Sequence, residues 1–265
     1  NDGPALKAAN IGVAMGKKGT EIAKEAADLI LIDDDLSKMI IAVAAGRRIY
    51  SNLKKAIRYI VSIHIPIILT VSLPLFLGWI YPDIFTPVHV IFLELVMGPM
   101  CSIVYENEPA EKNSMQKSPR PIGSTFLSLK ELGISIVQGI GITVGILFVY
   151  QWTVQNGGNE QLTRTMVFTT LVFSNVVLSL VNRSFYYSVF ASLKNKNNMM
   201  VIANSLTLLF LALIVYISPI ARFFDVLPLQ LYQIAICLAV SGISVIWIEI
   251  WKWNKRKNNT QPNEI

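Results

Sequence analysis

The sequence predicts a mostly α protein: a polytopic membrane helix bundle of six spans, preceded by a short strand-helix-strand piece of an α/β domain. Three observations carry this. Hydrophobic residues make up 53% of the chain and the mean hydropathy is +0.50, high for a soluble globule and ordinary for a multi-spanning membrane protein. Six apolar runs follow one another from Ala56 onward, each near the roughly 20 residues a helix needs to cross a hydrocarbon core. Basic residues gather at alternate ends of those runs, as the positive-inside rule expects. The net charge of +6 is therefore an interfacial signal, and a nucleic-acid partner is not expected. Both cysteines, Cys101 and Cys237, sit inside apolar runs, which argues against a disulfide framework or a zinc site.

Residues 1–35 read as soluble. Ile11 to Met15 is a short apolar run bounded by Gly12 and Gly16, consistent with a buried strand. A helix follows over 20–27 with Thr20 as N-cap, and 28–33 is a second buried strand. Strand, helix and strand in so few residues fit the end of a parallel sheet. The piece is too small to bury a core alone, so it is expected to complete a domain whose other strands lie elsewhere. The opening Asn1-Asp2-Gly3-Pro4 places an amide and a carboxylate before a turn, with Pro4 starting a short helix. That arrangement suits a phosphate and its Mg²⁺, or an ordinary turn.

Residues 36–78 begin polar, with Arg47, Arg48, Lys54, Lys55 and Arg58, and turn apolar from Tyr59. One helix leaving water and entering the bilayer is expected, with 36–58 as a cytoplasmic stalk. Roughly 43 residues at 1.5 Å each would span about 65 Å, around twice a hydrocarbon core. The spans are the inner half of that helix (56–78), then 87–105, 129–152, 165–181, 199–217 and 229–251, making a transmembrane domain over 59–253 and a polar tail over 254–265. Lys and Arg lie before the first span, between the second and third (Lys112, Lys117, Arg120), between the fourth and fifth (Arg183, Lys194, Lys196) and after the sixth (Lys252, Lys255, Arg256, Lys257). The opposite loops carry almost none, with Arg222 and Arg164 as exceptions. Both ends of the chain are thereby predicted on the cytoplasmic side, in a multi-pass protein of the plasma membrane. Trp79, Tyr81, Trp152, Trp247, Trp251 and Trp253 near span ends suit an interfacial belt.

Polar groups at mid-membrane are costly and each is a candidate for ion transport. His64 lies in the first span and Glu94 in the second, where Gly98-Pro99 is expected to break the helix and free carbonyls beside the carboxylate. Pro66 and Pro74 loosen the first span, and Asn175 of the fourth could reach the same region. Each also has a structural reading: a protonated carboxyl for Glu94, a neutral interhelical imidazole for His64, helix–helix contact for Asn175. Glu249, beside Lys252, reads as interfacial. Met97, Met100 and Cys101 near Glu94 suit packing or a soft metal.

Asn1-Asp-x-Pro-Ala-Leu-Lys7, Ala9-Asn-Ile-Gly-Val-Ala-Met-Gly16 and Ala26-Ala-Asp-Leu-Ile-Leu31 closely resemble the phosphorylation-domain hinge of P-type ATPases, in register for about 35 residues. Asn10 stands where the family usually has Asp. The stalk segment Ser51-Asn-Leu-Lys-Lys-Ala-Ile-Arg-Tyr59, the Ser118-Pro-Arg-Pro121 loop and the span layout resemble the calcium-pump-like branch, whose last six membrane helices these would be. The resemblance implies that residues 1–35 end a HAD-like phosphorylation domain, in which Asn1 and Asp2 help position the phosphoryl group, with Asp2 near the Mg²⁺. It implies ATP as substrate, an aspartyl-phosphate intermediate, a transported cation as cargo, the bilayer as surroundings, and the N-terminal part of the pump as the missing partner. The sequence departs from the calcium pattern. His64 stands at an Asn ligand, Ile67 at a Glu, Glu94 at another Asn, Met97-Gly98 at a Thr-Asp pair, and Asn175 at a Glu. Ca²⁺ prefers six to eight oxygens, so a proton, a monovalent cation or a softer divalent metal stays open, as does a catalytically inactive scaffold or regulatory protein of pump architecture.

Overall fold

The computed structural model describes residues 2–111, 114–116, 118–121, 123 and 125–259, with the side chains of Cys101, Asn258 and Asn259 left aside. Among these residues the element order is α1 (Gly3–Ala8), β1 (Val13–Met15), α2 (Glu21–Ala26), β2 (Leu29–Leu31), α3 (Lys38–Phe76), α4 (Pro87–Pro99) continued by a π-helical turn (Met100–Val104), a 3₁₀ turn (Ser114–Gln116), α5 (Leu129–Gln155), α6 (Glu160–Val181), α7 (Val189–Leu193), α8 (Asn198–Tyr216), α9 (Ser218–Phe223) and α10 (Leu231–Asn259). The chain divides into two compact units, residues 1–50 with 110–119 and residues 51–109 with 120–265.

In the first unit β1 and β2 pair in parallel, Val13 opposite Leu29 and Met15 opposite Leu31. The strands are short because acids take over the backbone donors beyond them. Asp28 accepts from Gly12 N at 2.8 Å, and the Asp34 carboxylate accepts from Lys17 N and Lys18 N at 2.8 and 3.0 Å. Asp34 itself is left-handed, φ +58°, a conformation Asp tolerates. Thr20 caps α2 by accepting from Ala23 N. Hydrogen bonds from Ser37 hold the Asp35 carboxyl below its ordinary range just before α3 begins. Ile11, Ile30 and Ile32 stay exposed, so this small sheet leaves apolar surface uncovered.

Among the described residues six helices are long and apolar enough to cross a membrane: α3, α4 with its π turn, α5, α6, α8 and α10. α3 runs through Pro66 and Pro74 without ending. It stops at Gly78 (φ +61°), where Trp79 N bonds to Pro74 O at 2.9 Å and Gly78 N to Leu75 O, a Schellman closure that needs a residue with no Cβ. The expected break at Gly98-Pro99 takes another form. Pro99 lacks an N–H and crowds the carbonyl four residues back; the chain widens to i→i+5 bonding, Tyr105 N to Met100 O, and stays helical. α6 starts five residues before its apolar run because Asn159 caps it by accepting from Leu162 N at 2.9 Å.

Within the second unit α5, α6 and α10 pack on one another, and α8 lies against α6 and the π turn. α6 is the most buried span. Lipid is as apolar as leucine, so these contacts rest on close van der Waals packing rather than on water expulsion. Glycines set the approach: a Cβ on Gly139 would lie 2.7 Å from Ile65 Cβ and 2.9 Å from Ser62 O, and one on Gly145 would lie 2.1 Å from Ser244 Oγ. The Ser62 carbonyl is the one that Pro66 leaves without its i+4 donor, so α5 seats on α3 where that helix is loosened.

Polar staples close both ends of this unit. At one end Glu108, after the π turn, takes Arg183 (2.9 Å) and Asn197 Nδ2 (2.7 Å), while Asn52 Nδ2 donates to Glu108 O at 2.6 Å. Lys252, wholly buried, donates to Val181 O and Glu249, each at 2.6 Å. Glu249 also accepts from Val189 N, so it clamps the start of α7 as well as lying near the span end. At the other end Arg164 joins the segments preceding α4 and α10.

Candidate functional site

His64 on α3 and Glu94 on α4 meet: Nε2 lies 3.3 Å from Glu94 Oε1, with both side chains partly exposed. His64 Nδ1 lies 2.8 Å from Ile60 O. A carbonyl only accepts, so Nδ1 carries a hydrogen. Nε2 is thereby the ring nitrogen turned towards the Glu94 carboxyl group. The pair sets an imidazole against a carboxyl group, on two helices that Pro66 and Pro99 each interrupt chemically. The π turn lies immediately after α4, and such turns concentrate at functional positions.

Asn175 is buried on α6, but neither Oδ1 nor Nδ2 has a hydrogen-bond partner, and it makes no hydrogen bond to His64 or Glu94. Thr70 Oγ1 on α3 and Thr169 Oγ1 and Ser174 Oγ on α6 are likewise buried and unpartnered. Serine and threonine hydroxyls elsewhere in the spans bond back to carbonyls, as Thr143 does to Gly139 O and Thr170 to Met166 O. Asn52 Oδ1, Arg58 Nη2 and His89 Nε2 share the unpartnered state of Thr70, Thr169, Ser174 and Asn175. Met97 and Met100 belong to the hydrophobic core, the packing role. The Cys101 side chain lies outside the described residues.

Sequence reasoning missed several residues that the structure makes prominent. Ser62, Gln138 and Asn182 form a buried chain, Ser62 Oγ to Gln138 Oε1 at 3.1 Å and Gln138 Nε2 to Asn182 Oδ1 at 2.9 Å. His89 is fully buried against Phe168 and Phe224, its Nδ1 2.8 Å from Thr86 Oγ1 in a capping box. Thr86, three residues ahead of His89 at the start of an apolar run, was the available signal.

At the other candidate site, Asp2 precedes α1, with Pro4 in the first turn as expected, and its side chain makes no capping bond. Asn1 lies outside the described residues. Among the described residues no group of three or more His, Cys, Asp or Glu side chains could hold a metal ion. One exposed carboxylate is not a Mg²⁺ site, so Asp2 would contribute only part of one.

Six apolar helices bracketed by polar staples make this a multi-pass integral membrane protein. Its residues 82–254 match the family model described as cation transporting ATPase, C-terminus. The chain is 33% identical over 258 residues, 97% of its length, to a calcium-transporting ATPase 1 of Schizosaccharomyces pombe. It is 30% identical over 264 residues, 99% of its length, to a calcium-transporting ATPase type 2C member 1 of Mus musculus, and 31% identical over 97% of its length to a calcium-transporting ATPase 1 of Bacillus cereus. It spans 28% of the first two relatives and 30% of the third. The chain belongs to the cation-transporting P-type ATPases, in the calcium-pump-like branch, and corresponds to their C-terminal membrane part.

Proposed function

We propose that this chain supplies the ion pathway of an ATP-driven cation pump that works through an aspartyl-phosphate, with ATP as substrate and Mg²⁺ as cofactor of the whole protein. The observation that carries this reading is the His64–Glu94 contact of 3.3 Å. An acid–base pair left partly exposed inside apolar spans is costly in lipid and is what a cation site with an exchangeable proton requires. A cation arriving at Glu94 would meet a carboxyl group with an imidazole beside it. Asn175, with two buried unpartnered atoms, is the further candidate ligand from α6.

Residues 1–35 complete a HAD-like phosphorylation domain, a role in keeping with the uncovered Ile11, Ile30 and Ile32; residues 36–58 are its stalk, 59–253 the transmembrane domain and 254–265 a cytoplasmic tail. Asn1 and Asp2 help position the phosphoryl group, Asp2 lying near the metal. The end of the bundle marked by Glu108, Arg183 and Lys252 is cytoplasmic, since the basic residues collect there, and the host is the plasma membrane. The relatives are named for calcium transport, yet Ile67, Met97 and Gly98 offer no side-chain oxygens, so the cargo is defined by experiment: ATP hydrolysis and phosphoenzyme formation by the full-length protein in lipid against Ca²⁺, Mn²⁺, Na⁺, K⁺ and pH, with Glu94→Gln beside wild type. Stimulation by one ion, lost or shifted in Glu94→Gln, is expected. No phosphoenzyme under any condition refutes the pump and leaves a scaffold of pump architecture; activity indifferent to Glu94→Gln removes the ion site.

A further inference from the structure

Arg164 breaks the charge asymmetry of the spans, and the structure shows where its charge goes. The side chain is buried at the first turns of α6 and uses its whole guanidinium fork. Nε donates to Ile84 O at 3.0 Å, Nη2 to Asp83 O at 3.2 Å and Glu160 Oε1 at 2.6 Å, and Nη1 to the carbonyl and carboxylate of Asp225. Asp225 sits between α9 and α10 in a left-handed conformation, φ +50°, and also accepts from Gln161 Nε2. A second tier lies beneath. Leu227 N donates to Thr165 Oγ1 at 2.9 Å, and the His89 ring of α4 meets Phe168 of α6 at 5.0 Å and Phe224 at 5.5 Å, both edge-on.

We propose that Arg164 is a positioning residue for the ion site: it fixes the start of α4 against α6 and the α9–α10 connection, and so fixes where Glu94 stands. Glu94 is seven residues from Pro87, about 10 Å along the helix at 1.5 Å per residue. It lies between this staple and the π turn at Met100–Val104. The far end is held as well, by Asn197 Nδ2 donating to Val104 O at 3.0 Å and by the Glu108–Arg183 pair, so Glu94 stands between two fixed points and loosening the Arg164 staple frees one of them. Lysine cannot replace the guanidinium, because a single ammonium cannot serve three loop carbonyls and two carboxylates in one fork. The ion-site half of this proposal rests on the pump reading; the anchoring half does not.

The test uses the intact pump in lipid nanodiscs with Arg164→Lys, Arg164→Gln and Asp225→Asn. Amide exchange over residues 79–90 is expected to quicken by about tenfold in Arg164→Gln, with Arg164→Lys between it and wild type, while residues 165–181 keep their protection. With Ca²⁺ as the probe, the concentration for half-maximal ATPase activation is expected to move by about tenfold with maximal turnover changed less; a merely structural role would lower the yield of folded pump and leave that concentration in place. Where Arg164→Gln does not assemble, Arg164→Lys carries both readouts. Unchanged exchange over 79–90 overturns the anchoring. Faster exchange with an unmoved half-activation concentration overturns the positioning of Glu94. A wild-type protein with no Ca²⁺ response is instead a failure on the pump side, and exchange still decides the anchor.

Discussion

Gly139→Ala perturbs the contact on which α3 and α5 are built. The added Cβ would stand 2.7 Å from Ile65 Cβ and 2.9 Å from Ser62 O, against about 3.5–4.0 Å for ordinary carbon contacts. Neither neighbour is the free end of a flexible chain, so the two backbones must part by roughly 1 Å, a gap that forfeits a quarter to a half of each dispersion contact. The Ser62 Oγ–Gln138 Oε1 bond, 3.1 Å and one residue away, is strained by the same shift. Overpacking and a weakened hydrogen bond together are expected to cost about 2–3 kcal/mol. Two controls isolate the cause. Gly145→Ala meets mainly the Ser244 hydroxyl at 2.1 Å, which can rotate away, so it should cost less. Gly133 has nothing within 4 Å, and its Ala variant should be neutral or stabilised by up to about 1 kcal/mol through helix propensity. The assay is unfolding in mixed micelles followed by tryptophan emission, or half-life at fixed temperature where unfolding is irreversible. A Gly139→Ala protein as stable as Gly133→Ala would refute the close-packing account of this interface.

Glu108→Ala strands the buried Arg183 guanidinium and should destabilise by about 3–5 kcal/mol, whereas Glu108→Ala with Arg183→Met should recover much of the loss; equal thermal denaturation of the two variants would contradict it. Asn175→Leu removes two buried unpartnered atoms, so thermal stability should hold or rise while cation-stimulated ATPase falls; a loss of stability would show that the amide has a structural partner. Pro99→Ala restores a backbone donor at the head of the π turn and should raise stability by about 1–3 kcal/mol while slowing turnover; unchanged turnover in a steady-state ATPase assay would remove the π turn from the mechanism.

The spans were legible in the sequence because an apolar run of crossing length has one outcome in lipid. Their ends were not, because polar turns can be helical when capped. Asn159, Glu160, Gln161 and Arg164 carry no apolar signal, yet they open α6. α7 and α9, five and six residues long, are too short for any period to show. Gly98-Pro99 did mark a disturbance, but whether a proline breaks a helix or widens it depends on the packing around Met97, Met100 and Tyr105, all buried. At the candidate site, His64 and Glu94 were legible singly, each as a polar group inside a span, and their 3.3 Å contact is a finding of the structure. That Asn175 makes no hydrogen bond to that pair was not legible, since the face that α6 turns inward follows from its neighbours. Arg164 was visible only as an exception to the charge pattern, and its partners at Asp83, Ile84 and Asp225 are some 60 to 80 residues away in the chain.

The distribution of satisfied polar groups is the feature that best separates support from work in this molecule. Although Nη2 of the buried Arg58 has no hydrogen-bond partner, several buried charges at both ends of the bundle are matched: Arg183 with Glu108, Lys252 with Glu249 and the Val181 carbonyl, Arg164 with Glu160 and Asp225. Those groups need nothing more, and each ties segments distant in sequence, as a structural staple should. Within the spans many hydroxyls and amides are bonded, as those of Thr143, Thr170 and Gln138 are, but a few groups are not. Thr70, Thr169, Ser174 and Asn175 keep buried oxygens or nitrogens without partners, and His64 meets Glu94 there. An unmet polar group in hydrocarbon costs several kcal/mol, and selection for stability alone would replace it with an apolar side chain of similar size, as bundles readily accept. Its retention is explained if the missing partner is one that comes and goes. A cation moving through the bundle supplies the positive charge that these oxygens lack and leaves them unpaired after it departs, so under the proposed reading the same atoms that weaken the fold are those that lower the barrier to transport.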